Sequence, residues 1–98
     1  MERISDQISK VGAGQRLQIT RDALGLTQRE FADRAGIAAN TYNQYEAGVN
    51  YPKIDLAIEI CTTFDLTLDW IFRGDPSGLR YDLADAIRAI RAARRVET

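Results

Sequence analysis

An all-α domain of five short helices, with an additional C-terminal amphipathic helix, is the fold class this 98-residue sequence predicts. Three observations predict it. Glycine and proline divide the chain into pieces of helical length. Apolar residues within those pieces recur at intervals of three and four, and no stretch sustains the alternation of a strand. The hydrophobic share, 45%, is enough for one core in a chain of this size.

Ile4, Ile8 and Val11 stand at i, i+4 and i+7 and predict a short N-terminal helix that Gly12 and Gly14 would end. A helix is expected next from about Gln15 to Leu24, with Leu17, Thr20 and Leu24 on one side and Gly25 as its stop. In LTQREF, Thr27 can accept from the backbone N–H of Glu30 while Glu30 reaches back to that of Thr27, a capping box. Leu26 and Phe31 take the places of a hydrophobic staple. That helix stops at Gly36, and a further helix is expected from about Ala38 to Ala47, stopped by Gly48. The link between the two is so short that they must cross steeply, as in a helix-turn-helix.

Pro52 is expected to open the following helix, with Ile54, Ala57, Ile58, Cys61 and Phe64 as its buried stripe. Thr67 can cap a short fifth helix, LDWIF, which Gly74 closes and which carries Trp70 as a core anchor. DPSG is a turn. Beyond it Leu79, Leu83, Ala86, Ile87 and Ile90 share one helical face, and Arg88, Arg91 and Arg95 another. That apolar face has two candidate partners, its own domain or a second subunit. The arginine stripe reads as a solvated face rather than a nucleic-acid arm. The organisation expected is an extension over 1–13, a helix-turn-helix domain over 14–74 and a C-terminal helix over 75–98 as a candidate dimerisation element.

Charged residues make up 28% with mixed signs and a net charge of -1, and the pI is about 5.3. This excludes a general nucleic-acid glue, whose affinity would come from lysines and arginines on phosphates. Residues 16–50 balance four arginines against Asp22, Glu30, Asp33 and Glu46. The acid excess lies in 51–73, where Lys53 and Arg73 meet Asp55, Glu59, Asp65 and Asp69. There is no histidine, and the single cysteine, Cys61, sits in an apolar helical stripe as a small hydrophobe. No catalytic triad, metal cluster or paired-carboxylate cleft can be assembled, so no catalytic residues, metal or cofactor are expected, and no enzyme. VGAGQRL fails as a dinucleotide fingerprint, since Leu17 takes the third glycine's place and no strand precedes it. A break between two short helices is the better reading of that stretch. No apolar run approaches the roughly 20 residues of a membrane span. MERISDQISK lacks the apolar core of a signal peptide. The setting expected is reducing and cytoplasmic.

Residues 14–74 resemble the lambda-repressor/Cro-like helix-turn-helix family, also called the XRE family. The marks are GLTQREFA, the AGI turn, the YEAG end of the helix after it, a proline after a short loop, and FDLTLDWIFRG, in that order. The resemblance implies a five-helix bundle whose third helix enters the major groove of double-stranded DNA. It implies a homodimer on a near-palindromic operator that represses or activates transcription, with repression as the expectation here. By position it implies base-edge contacts from Ala39, Asn40 and Gln44. Gln28 and Asn43 would lie at the sugar-phosphate backbone, with Arg16, Arg29, Tyr51 and Lys53 as further phosphate contacts. Arg21 and Glu46 would form a structural ion pair. The chain departs from the family at Ala38, where many members have a serine or threonine cap. It departs again at Ala47, Val49 and Asn50, where many carry lysine or arginine.

The face expected to read DNA is therefore neutral. Ala39, Asn40, Asn43, Gln44 and Ala47 fall on one side of the helix, with Tyr42, Tyr45 and Ile37 turned inward. Amides can bind adenine bidentately and small methyls can touch the thymine methyl, so base reading does not require charge. The alternative is that Asn40 and Gln44 are solvated surface residues of a protein-interaction module, such as an antitoxin-like subunit. The amide-rich face favours DNA, and the missing basic residues favour the rival. The operator and any small-molecule effector are not legible.

Overall fold

The computed structural model describes residues 9–97, and the side chains of residues 9–95. Six helical elements follow in order: α1 (Lys10–Leu24), α2 (Gln28–Ala35), α3 (Ala39–Glu46), α4 (Ile54–Phe64), α5 (Asp69–Arg73, a single π-helical turn) and α6 (Tyr81–Glu97). Among the described residues there is no strand. The all-α expectation holds, including the helix beyond the fifth.

The first helix corrects the sequence reading. Ser9 caps it, accepting from Gly12 N at 3.0 Å, and the helix then runs through Gly12 and Gly14 without a break. Gly14 is there for a crossing. A Cβ at this position would lie 2.4 Å from the carbonyl oxygen of Tyr45 and 2.7 Å from that of Glu46. Only glycine lets α1 and α3 approach this closely. Val11 belongs to this helix and is exposed, while the part of the expected N-terminal helix at Ile4 and Ile8 lies outside the described residues.

Thr27 and Glu30 form both bonds of the capping box, at 3.1 and 2.9 Å, so local chemistry alone starts α2. Gly36, at φ 72°, ends it in the left-handed region. Ile37 turns inward and is buried. The next helix, α3, is anchored from behind by Tyr42 and Tyr45, both buried. Phe31 links three helices, its ring 4.9 Å from that of Tyr42 and stacked at 4.1 Å on Phe64.

The expected start and stripe of α4 are also corrected. The helix begins at Ile54 with Lys53 as its N-cap, and Pro52 precedes the cap. The backbone N–H of Lys53 points out of the helix towards the Tyr45 hydroxyl, 3.5 Å away. The buried positions are Ala57, Ile60 and Phe64, whereas Ile54 and Ile58 are 58% and 48% exposed. Opposite the polar face of Asp55, Glu59, Thr62 and Thr63 the apolar residues span a wide arc, so the pattern allows two stripes. The Phe31–Phe64 stack selects the one that ends on Phe64.

Thr67 accepts from Trp70 N at 3.0 Å and starts the fifth turn. Trp70 is fully buried, and its Nε1 donates to Thr20 Oγ1 at 2.9 Å, so its one polar atom is satisfied. Leu79, Leu83 and Ile87 complete the same core, with Ile90 packed against it. The last helix, α6, lies against α1, and Arg94 forms an ion pair with Asp22 there. Part of the apolar face of this segment packs on its own domain, where Leu79, Leu83 and Ile87 are buried.

Candidate nucleic-acid interface

Three contacts hold α3 in place, all on its inner side. The first is the backbone approach at Gly14. The second is the pair of buried tyrosines. The third is Glu46, the last residue of α3, whose side chain is 4% exposed and accepts from three partners. Arg21 of α1 donates from Nε at 2.7 Å and from Nη2 at 3.1 Å. Gln28, the first residue of α2, donates from Nε2 at 3.0 Å. The Tyr42 hydroxyl donates to Oε2. Burial, then this bond to a carboxylate, hold the Tyr42 phenol well above its ordinary range. Arg21 is held above its own, first by its hydrogen bond to Glu46. One carboxylate therefore joins α1, α2 and α3 with its charge balanced.

With the inner side used in this way, α3 turns Asn40, Asn43, Gln44 and Ala47 outward, all exposed, and leaves Ala39 half-buried. Asn40 Oδ1 accepts from Thr41 N at 3.0 Å, which fixes the side chain against the first turn. Gln44 Oε1 accepts from Asn50 Nδ2 at 2.8 Å. In each case the bond engages the amide oxygen of an exposed side chain, and an amide carries two donors besides. An open recess of about 440 Å³ borders the end of this face, with Thr41, Gln44, Asn50, Tyr51 and Lys53 among its walls. Ala38 stands at the N-cap with no side-chain hydrogen bond, so α3 has no cap there.

The residues expected at phosphates divide. Arg29, Asn43, Tyr51 and Lys53 are exposed. Gln28 is half-buried and engaged with Glu46. Arg16 must be withdrawn from the set. It is 8% exposed, and its Nε donates to the Ile71 carbonyl at 2.8 Å, 55 residues along the chain. The α1 face that bears it turns towards α5 and α6, and the buried carbonyl end of α5 claims its guanidinium. Asn50 and Gly14 are contributors that sequence reading missed. Asn50 meets Gln44 only because Gly48, at φ 74°, turns the chain back, a signal read above merely as a stop.

Among the described residues no group of histidine, cysteine, aspartate or glutamate is arranged to hold a metal, and no helix is long and apolar enough to cross a membrane.

A family model described as helix-turn-helix matches residues 17–71. YobD of Bacillus subtilis, named as an uncharacterized HTH-type transcriptional regulator, is 35% identical over 57 residues, which are 58% of this chain and 51% of that protein. RstR of Vibrio cholerae, named as a cryptic phage CTXphi transcriptional repressor, is 31% identical over 55 residues, 56% of this chain and 49% of that one. YqaE of Bacillus subtilis, another HTH-type regulator by name, is 36% identical over 50 residues, 51% of this chain and 43% of its own length. The chain spans about half the length of the curated relatives it matches. No solved structure matches it.

Proposed function

This chain belongs to the lambda-repressor/Cro-like helix-turn-helix family, and from that premise we propose that it is a cytoplasmic transcriptional repressor that binds a near-palindromic operator as a homodimer. The observation that carries the reading is the division of α3. Its inner side holds the fold, and its outer side is a row of amides and small residues facing solvent. In this reading Ala39, Asn40 and Gln44 meet base edges in the major groove. Asn43, Arg29, Tyr51 and Lys53 lie at the sugar-phosphate backbone, with Gln28 at the start of α2. The binding unit is residues 14–74, braced by the helix within 75–98. Two subunits are needed because one offers few basic contacts, and two half-sites combine their affinities.

A second reading rests on a different observation. Val49 and Tyr51 in the loop after α3, and Ile54 and Ile58 on α4, are about half exposed, and α3 itself carries no basic residue. A surface of that kind suits a protein partner better than a phosphate backbone.

Selection of bound duplexes from a random pool at low salt separates the two. Recovery of a near-palindrome with half-sites about 10 base pairs apart supports the operator reading and the two-fold dimer. Binding with no enriched sequence removes base reading by Asn40 and Gln44. No binding by a folded protein transfers the function to the protein-partner reading.

A further inference from the structure

The first-turn N–H groups of a helix have no partner inside it, and α1 to α5 each place a side-chain oxygen on one of them. They do so by two routes. In α1, α2 and α5 the oxygen comes from before the helix. Ser9, Thr27 and Thr67 accept from the N–H three residues further on, at Gly12, Glu30 and Trp70, over 3.0–3.1 Å. Ala38 and Lys53 hold the cap position of α3 and α4 and make no such side-chain bond. There the oxygen comes from inside the helix. Asn40 Oδ1 accepts from Thr41 N, and Asp55 Oδ1 from Leu56 N, each at 3.0 Å. In both helices the N–H taken is again the third after the cap position.

Asn40 also stands in the exposed row of α3. An amide reads adenine with both ends at once, its oxygen accepting from N6 and its nitrogen donating to N7. An oxygen held on the backbone of its own first turn is not free to meet N6 together with the nitrogen. The side chain still has its two N–H donors. Their complement in the major groove is an edge of acceptors alone, the N7 and O6 of guanine.

We propose that Ala38 sets the base preference of Asn40: with no cap at 38, Asn40 spends its oxygen on Thr41 N and meets guanine rather than adenine. This rests on the reading of α3 as the helix that meets base edges. Ala38 is then a positioning residue that touches no base. Its backbone, φ -60° and ψ 136°, is extended like that of Ser9, φ -71° and ψ 156°. A serine at 38 would reach Thr41 N by the route that Ser9, Thr27 and Thr67 already use. Position 38 is exposed, so the new hydroxyl stays hydrated. Asn40 would be released and could align both ends of its amide with one base. Gln44 provides an internal comparison, because its oxygen is held by Asn50, away from the cap.

Two measurements on the full chain test this. The first needs no DNA. Amide hydrogen exchange at Thr41, followed by NMR, should quicken roughly fivefold in Asn40→Ala, the worth of one hydrogen bond. In an Ala38→Ser background the same change should leave Thr41 exchange as it was. The second is selection of bound duplexes from a random pool by the parent, Ala38→Ser and Asn40→Ala. The base pair whose preference Asn40→Ala erases is the one that Asn40 reads. The parent should enrich guanine there, and Ala38→Ser should shift the ratio of adenine to guanine upward by roughly tenfold. Positions read by Gln44 should not change. Adenine at that position in the parent, or the same base in the parent and Ala38→Ser, would overturn the proposal. So would Thr41 exchange that ignores Asn40→Ala, or an enriched sequence that Asn40→Ala leaves intact. Thr41 exchange that responds as stated, with no sequence enriched by the parent, would locate the failure in the base reading of α3, and the base preference would fall with it.

Discussion

Arg21 and Glu46, 25 residues apart, meet through two hydrogen bonds, Nε to Oε2 at 2.7 Å and Nη2 to Oε1 at 3.1 Å. The pair is largely buried, with side chains 13% and 4% exposed. It ties the first helix to the end of α3, and Gln28 and Tyr42 complete the set around the same carboxylate. Removing one member of such a pair costs more than the pair itself contributes, because the other charge stays buried alone. Glu46→Ala should lose about 3–5 kcal/mol in urea denaturation. Glu46→Gln should lose less, since it keeps the size and one acceptor. Equal losses in the two would show that charge plays no part.

Gly14→Ala sets two effects against each other. Alanine in a helix interior is favoured over glycine by about 1 kcal/mol. The new methyl would fall on the carbonyl oxygens of Tyr45 and Glu46, and backbone cannot rotate aside as a side chain does. Overpacking of this kind costs about 1–3 kcal/mol or more. The clash should win, giving a variant less stable than the parent with α3 displaced from α1. A variant more stable than the parent would show that the crossing relaxes freely.

Ala38→Ser should work in the opposite direction. Ala38 sits in extended conformation, φ -60° and ψ 136°, where a serine hydroxyl can accept from a first-turn N–H. A gain of about 1 kcal/mol is expected in thermal or urea unfolding. No gain would mean that the first turn of α3 is already satisfied by water.

Burial pushes the Cys61 thiol up to about 11. The thiolate is the reactive form, so at pH 8 native Cys61 should alkylate with iodoacetamide roughly two-hundredfold more slowly than in the unfolded chain, where the pKa is near 8.5. The sign for stability follows. The folded value is raised, so the contribution is complete below about pH 8.5 and is lost as pH rises towards the folded value. Equal alkylation rates in folded and unfolded protein would contradict this burial.

Salt should weaken operator binding only gently. With Arg16 withdrawn, Arg29 and Lys53 are the basic side chains left beside α3. The slope of log affinity against log salt should then be no steeper than about -2 per subunit, at roughly -0.9 per neutralised phosphate. A slope twice as steep would require basic contacts from another part of the chain.

What the sequence disclosed and what it hid divide by distance along the chain. The capping box was legible because Thr27 and Glu30 are three residues apart and depend on nothing else. The outward set on α3 was legible because two buried tyrosines fix the helix phase. Arg21–Glu46 was reached only through the family resemblance, since nothing local pairs residues so far apart. Gly14 was misread because a glycine that ends a helix and one that admits a neighbour look alike until the neighbour is placed. Arg16 was misplaced for the same reason. Its partner, the Ile71 carbonyl, belongs to a turn formed much later in the chain. In α4 the apolar residues span a wide arc, and a contact from outside had to choose which part of it is buried.

The placement of Leu79, Leu83 and Ile87 in the core of Trp70 bears on how this protein is made. A ribosome emits the chain from its first residue onward, at about 5–20 residues per second. When residue 74 has emerged, the segments that form α1 to α5 are all outside, yet the side of Trp70 that α6 covers is still wet. The nascent chain waits on α6 to shut out water. Early release, or a stop codon placed before Leu79, would hand the cell's proteases an open core rather than a smaller version of the same domain.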